Sequence, residues 1–285
     1  MRPLWLLLDG NYLCWRSYHV VGDLQHNGLP TGVVFGYFKT ILDLQEQFVT
    51  SRVVHCFDHG RSKRYEVYPE YKASRQSKRD LSKEEEQSHL RVRNQIIRLR
   101  RDYLPVIGCK NIFSCSGYEG DDILASICKG LPEDQEAVII GSDHDLFQLL
   151  TDRISMYNPK EKKTITVDSF RKEWGVEPED WARVMSISGC GSDGIKGIDG
   201  VGEKTAAKFL RGELKFSTKA YKEITSNPQV MERNKSLVTL PFDGCPTFTL
   251  QDDKLDREGW ERICDELGMK SIRNLRRLLP FNVNF

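Results

Sequence analysis

The sequence predicts an α/β fold on a largely parallel sheet, and two observations carry that expectation. Three apolar runs read as buried strands, "PLWLLLD", "RVVHCFD" and "EAVIIGSD", and each closes on a carboxylate: Asp9, Asp58 and Asp143. Between them lie stretches of helical periodicity, including "GVVFGYFKTILDLQEQF" and "HLRVRNQIIRLRRDYL". Strands apolar throughout need cover on both faces, and their alternation with helices gives crossover units. Ligands of such sheets bind beyond the carboxyl ends of the strands, so the three aspartates should converge on one edge. One Asp after a strand is ordinary turn chemistry. Three together are not explained that way.

The remaining elements follow from pattern. "ISMYNPKEKKTITV" reads as two short strands around a polar turn. "KASRQSKRDLSKEEEQSHL" (72–90) has no apolar stripe wide enough for a core helix and reads as a solvent-exposed excursion. From about Trp181 the pattern is helical, with no strong strand alternation before "PTFTL"; "SIRNLRRLL" reads as an amphipathic packing helix. A boundary is expected near residue 178, giving a core over 1–178 and a helical region over 179–285.

Composition narrows the class. With 39% hydrophobic and 29% charged residues the 285-residue chain reads as soluble and globular, and "LWLLL" is too short to span a bilayer. No membrane association is expected. Eight cysteines show neither CxxC pairs nor zinc-like spacing, which suits reduced thiols of a cytoplasmic protein. Net charge is +1, but Arg52 to Lys110 holds 15 Lys/Arg against 8 Asp/Glu. That asymmetry is either a solvated helix face or a footprint for phosphates.

"GYEGDDILA" crowds Glu119, Asp121 and Asp122 just before a helical run. Acids at a helix start gain from the dipole, and a metal ion would equally explain them; the segment alone leaves both open. "GSDHDLFQLL" adds Asp145 at a strand-to-helix junction. Seven carboxylates at one sheet edge stay ionised only with cations present. Oxygen ligands without paired His or Cys suit Mg²⁺ or Mn²⁺, and two such ions support phosphodiester hydrolysis. No EF-hand spacing favours calcium storage instead.

The blocks "LLLDGNYLCWRSYH", "FDHGRSKRYEVYPEYKASR", "GYEGDDILA", "GSDHDLFQLL" and "GIDGVGEKTAAKFL" occur in one order over roughly residues 4 to 211. In that order the chain resembles the 5′-nuclease family: the 5′→3′ exonuclease domain of bacterial DNA polymerase I, phage 5′ nucleases and flap endonucleases. The resemblance implies a PIN-like α/β core with a helical arch near 72–93 and a helix–three-turn–helix near 190–211. It implies that Asp9, Asp58, Glu119, Asp121 and Asp122 surround a first metal ion. Asp143 and Asp145 match ligands shared with or assigned to a second ion, and Asp193 matches another.

The same resemblance places Lys72, Arg75 and Arg16 near the scissile phosphate, where charge-assisted contacts hold substrate and offset developing charge. Gly197, Gly200 and Gly202 form the tight turn of the helix–three-turn–helix, with Lys204 and Lys208 on the following helix. Lys196 to Lys222 carries seven Lys/Arg against three Asp/Glu, which supports duplex binding. The resemblance also implies a K⁺ ion in that turn. Two positions depart from the family: "GCGSDG" puts Cys190 where an acid is usual and Gly194 where an Asn is usual. Cys190 is the one that changes the donor chemistry. Its thiol could bind a softer ion as thiolate or pack as a small hydrophobe, and packing is the expectation.

The expected function is therefore a metal-dependent 5′ nuclease in DNA replication or repair. It would act as a monomer on DNA with 5′ ends, flaps or branches, and on RNA–DNA hybrids, in the cytoplasm of a bacterium or phage-infected host. A DNA-binding protein without strong cleavage and a PIN-like RNase are the rival classes. The "GVGEKTA" element, a duplex-binding addition, opposes the second.

Overall fold

The computed structural model describes residues 2–73 and 82–274. Six strands form the central sheet: β1 (Leu4–Asp9), β2 (Arg52–Cys56), β3 (Ile112–Phe113), β4 (Glu136–Ile140), β5 (Ile154–Asn158) and β6 (Lys163–Ile165). Their spatial order is β3-β2-β1-β4-β5-β6, parallel throughout except for β6, which pairs antiparallel with β5. The chain thus starts at the centre of the sheet. In register, Asp9 stands opposite Cys56 and Leu8 opposite Ile140, so Asp58 and Asp143 fall just past the same edge.

Alternation along β1 divides the core. Trp5 and Leu7 join one apolar cluster with Val54, Ile123, Ile139 and Met156, while Leu6 and Leu8 join another with Tyr37, Val53 and Ile140. Helices α1 (Gly10–Val21) and α2 (Gly32–Phe48) cover the second face. On helix α3 (Lys83–Arg98), Gln95 Oε1 accepts from the backbone N–H of Val33 at the start of α2, at 3.1 Å. Helix α4 (Gly120–Gly130) covers the first face.

Helices α5 (Val167–Trp174), α6 (Trp181–Ser188), α7 (Glu203–Leu210), α8 (Lys219–Ser226) and α9 (Pro228–Val238) extend that first-face cluster. Among the described residues, one apolar cluster runs across residue 178. Phe147 and Phe170 lie 5.6 and 5.3 Å from Trp181, and Trp174 lies 4.7 Å from it, ring centre to ring centre. Aromatic pairs at such distances add to simple burial. They lock the turn after β4 against α6. Helix α10 (Arg257–Glu266) returns to the opposite face, where Trp260 meets Phe38 edge-on at 5.2 Å.

Residues 83–90, which pattern left as a solvent-exposed excursion and the resemblance placed in a helical arch, are helical. Ser82 and Glu85 form a reciprocal capping box, and Glu84, Glu85 and Glu86 sit in the first turn. End chemistry rather than an apolar stripe stabilises this segment. "PTFTL" joins no sheet; Phe248 packs instead on Phe113 at 5.1 Å. Most of "SIRNLRRLL" lies outside the described residues. Among the described residues no helix is long and apolar enough to cross a membrane.

Trp260 is 3% exposed. Trp260→Ala should cost about 3–5 kcal/mol, as truncation of a buried aromatic does. Urea unfolding would show this as a lower midpoint with little change in slope.

Candidate metal centre at the carboxyl edge of the sheet

Each acid is placed by a local rule. Asp9 ends β1 and caps α1, accepting from the Tyr12 backbone N–H at 2.9 Å. Asp58 is held at both oxygens, by Asn11 Nδ2 at 2.8 Å and by the Gly120 N–H at 2.7 Å. The second bond ties the loop after β2 to the start of α4. Asp121 stands in the first turn of α4. Asp143 opens a tight turn, His144–Leu149, and accepts from the Asp145 N–H at 3.1 Å.

These four carboxylates repel one another in a half-buried cleft. Burial first, then Asp58 and Asp143, push the Asp9 carboxyl up to about 7. Burial first, then Asp9, Asp143, Asp58 and Glu119, hold Asp121 well above the usual carboxylate range. Asp145 is displaced the same way by burial, Asp143 and Asp193. Crowded acids that are costly to ionise are what a bound cation would relieve.

A second group lies beside the first. Asp145, Cys190 and Asp193 are buried, and each brings one donor atom within 4.8 Å of the other two. Lys72 Nζ lies 2.5 Å from Glu119 Oε1 and 3.6 Å from Asp193 Oδ1. The Tyr71 hydroxyl contacts the same two residues, at 2.6 Å (Glu119 Oε2) and 2.8 Å (Asp193 Oδ2). Glu119, expected among the first-ion ligands, is therefore bound by Lys72 and Tyr71 toward the second group. Cys190 is buried, as a small hydrophobe would be, yet its sulfur lies 3.0 Å from Ser192 Oγ. Burial and the neighbouring Asp145 and Asp193 push the thiol up to about 12.

Asp122 needs correction. It was expected to bind metal, but it is fully buried, and Arg64 Nη1 and Nη2 donate to its two oxygens at 2.8 Å each. The Phe242 N–H donates to Oδ1 at 2.8 Å, and the Glu119 N–H to Oδ2 at 3.0 Å. Neighbouring helix residues point about 100° apart, so Asp121 faces the cleft while Asp122 faces the core. Arg64, itself buried, also donates to the Leu237 carbonyl at 2.8 Å, joining α4 to the end of α9. Sequence reasoning missed Arg64, Tyr71 and Asn11. Arg64 is one of many basic residues in its segment; Asn11 alone carried a signal, two residues past Asp9.

The phosphate-handling residues are placed as follows. Arg16, on α1, reaches the Pro159 carbonyl at 3.5 Å and pairs with no carboxylate among the described residues. Arg75 lies outside the described residues. Gly200 has φ of +74°, as a tight turn demands, and open space lies around it and Gly202. Gly197 serves packing instead: a Cβ there would stand 2.1 Å from the Ser188 carbonyl. Lys204 and Lys208 are exposed on α7, whose Ala206 and Ala207 are buried. His144, between the two aspartates of its turn, reaches Glu203 of α7 at 3.4 Å, and that contact raises its pKa.

The residues present fit a divalent cation. Asp9, Asp58, Asp121 and Asp143 offer only oxygen, and Asp145 Oδ1 is buried with no hydrogen-bond partner among the described residues. Fold and cleft define the class: a mostly parallel α/β protein whose sheet edge gathers buried carboxylates. Residues 4–175 match the family described as 5′-3′ exonuclease, N-terminal resolvase-like domain, and the chain belongs to it.

The thermostable DNA polymerase I of Thermus aquaticus is 32% identical over 208 residues, covering 72% of this chain and 23% of that one. DNA polymerase I of Mycobacterium tuberculosis H37Rv is 27% identical over 296 residues, covering 96% and 31%. The chain thus spans under a third of these relatives. A structure of T5 5′-exonuclease with zinc bound aligns with a TM-score of 0.71 at 23% identity, covering 84% of this chain and 90% of that one. The catalytic core of Rad2 in complex with DNA substrate aligns at 0.57 with 15% identity, covering 99% and 92%. These likenesses show the fold.

Two outcomes follow from the electrostatics. Arg64→Leu should cost about 3–5 kcal/mol, because it strands the buried Asp122 charge; Arg64→Leu with Asp122→Asn should recover part of that loss in chemical unfolding. The second concerns pH. Between about pH 4 and 7 the folded metal-free chain keeps an Asp9 proton that the unfolded chain has released, so stability falls as pH rises through this window. Asp121→Asn should therefore raise the melting temperature in EDTA at about pH 8 and change it less at about pH 5. An equal shift at both would remove the repulsion argument.

Proposed function

We propose that the protein is a divalent-metal-dependent 5′ nuclease that hydrolyses DNA phosphodiesters at 5′ ends, flaps or branches. The carrying observation is the convergence of Asp9, Asp58, Asp121 and Asp143 at one sheet edge, with burial and mutual repulsion raising Asp9 and Asp121. Relatives named DNA polymerase I and structures named 5′-exonuclease and flap endonuclease support the reading. Asp9, Asp58, Asp121 and Asp143 would hold Mg²⁺ or Mn²⁺, and Asp145 and Asp193 would take part in a second site. Such ions, when bound, supply an activated water and neutralise charge on the leaving oxygen.

The chain's own groups do the positioning. Lys72 carries a positive charge to the rim between Glu119 and Asp193, where it can contact a phosphate. The Tyr71 hydroxyl bridges those same two carboxylates. The turn at Gly200 to Gly202 and the exposed Lys204 and Lys208 form a separate surface suited to a duplex backbone. Eight cysteines, none in a disulfide, fit a reducing compartment such as the cytoplasm.

Purified protein and a labelled 5′-flap duplex, with and without Mg²⁺, test the reading. Asp121→Ala should lower turnover by orders of magnitude while DNA binding persists in Ca²⁺. Lys72→Ala should slow cleavage at saturating DNA by roughly a hundredfold. Lys204→Ala with Lys208→Ala should instead weaken binding, its salt slope falling by about 0.9 per lost phosphate contact. Cleavage by Asp121→Ala near the wild-type rate would refute the site.

A further inference from the structure

We propose that Asp145, Cys190 and Asp193 form a mixed oxygen–sulfur site that binds a thiophilic divalent cation of the Zn²⁺ and Co²⁺ class, with the Cys190 thiolate as a ligand. The inference rests on reading the sheet edge as a cation site, and its test needs no cleavage.

Two of the donors come from one small, rigid loop. Cys190 ends the strand pair Gly189–Cys190 with Ile195–Lys196, and Asp193 lies in the turn between them. The Asp193 N–H donates to the Cys190 carbonyl at 3.2 Å and closes that turn. The third donor arrives from across the cleft. Asp145 sits in the tight turn after β4, which the Phe147–Trp181 contact fixes against α6.

The donor atoms lie within 4.8 Å of one another. Ligands about 2.0–2.3 Å from a tetrahedral ion stand about 3.5 Å apart, so modest side-chain rotation closes the site. An observation independent of the cluster points to a ligand there. Asp145 is 8% exposed, and its Oδ1 has no hydrogen-bond partner among the described residues. A buried carboxylate oxygen in that state costs stability unless a cation or proton meets it.

Sulfur decides which cation. Mg²⁺ demands oxygen ligands, whereas Zn²⁺ and Co²⁺ accept thiolate with carboxylate. Three protein donors leave a fourth position open, as at sites that exchange water for substrate. Tyr71 and Lys72 already orient Asp193, and the ammonium 3.6 Å from Oδ1 is the competing positive charge. Binding is balanced by one proton: Cys190–SH + M²⁺ → Cys190–S–M⁺ + H⁺, so it strengthens as pH rises.

Co²⁺ reports a thiolate ligand directly, through sulfur-to-cobalt charge transfer in the near ultraviolet. The full chain is titrated with Co²⁺ in excess Mg²⁺, which occupies the all-oxygen ligands. Wild type should develop the band, saturating at one Co²⁺ per chain with release of one proton. Cys190→Ser should abolish the band while its circular dichroism stays unchanged. Asp145→Asn keeps the thiol and should weaken Co²⁺ binding about tenfold or more. No band in wild type, or a band surviving in Cys190→Ser, overturns the proposal. So does unchanged affinity in Asp145→Asn. Mg²⁺-dependent cleavage without a Co²⁺ band rejects this site and leaves the nuclease reading intact. A Cys190-dependent band in a protein that cleaves no flap supports the site and removes the nuclease reading.

Discussion

Like charges held together against their own repulsion are the constraint on which this structure depends. Asp9, Asp58, Asp121 and Asp143 would separate if the chain let them, and Asp145 and Asp193 repeat the problem close by. The scaffold prevents that separation by fixing each acid through its backbone. Asp9 is fixed by a strand end and a helix start, Asp58 by two hydrogen bonds, and Asp143 by its own turn. The acids are thereby held close without a counter-charge, at a cost to the stability of the metal-free chain.

The countervailing contacts are buried and distant in sequence. Arg64 carries a full charge into the core to meet Asp122, and its third contact reaches the carbonyl of Leu237. Such a pair adds little net stability against an apolar alternative, but it fixes orientation wherever it is retained. Here it sets the rotation of α4 and so directs Asp121 into the cleft. The aromatic cluster around Trp181 does the corresponding task for Asp143 and Asp145 without charge.

Strand ends were legible because an apolar run followed by Asp is a local signal, readable without knowing the neighbours. The order of the blocks was legible for the same reason. What could not be read were pairings that close across the fold. Asp121 and Asp122 are adjacent and chemically identical, and contacts from Arg64, 58 residues away, and Phe242, 120 residues away, separate their roles. The resemblance grouped Glu119 with the first-ion acids, and the contacts of Tyr71 and Lys72, which join it to Asp193, close only across the fold. Gly197 resembled its neighbours Gly200 and Gly202, although close contact with Ser188 rather than turn geometry requires it. The helix over Lys83–Arg98 was legible by periodicity only from His89; its first turns carry no apolar stripe and begin at a capping box.

The apolar cluster that runs across residue 178, from the sheet to the helices beyond it, has a mechanical consequence. Helix α7 rests Ala206 and Ala207 in the same apolar cluster that holds Trp181 and the strands, and Glu203 at its start touches His144 of the acid-bearing turn. Lysines on its exposed face are therefore carried, among the described residues, on the same apolar core as the carboxylates. If the duplex of the proposed function is held at these lysines, it meets the carboxylates a set number of helical repeats away. Position along that polymer would then be measured by the protein's own dimensions, irrespective of its sequence.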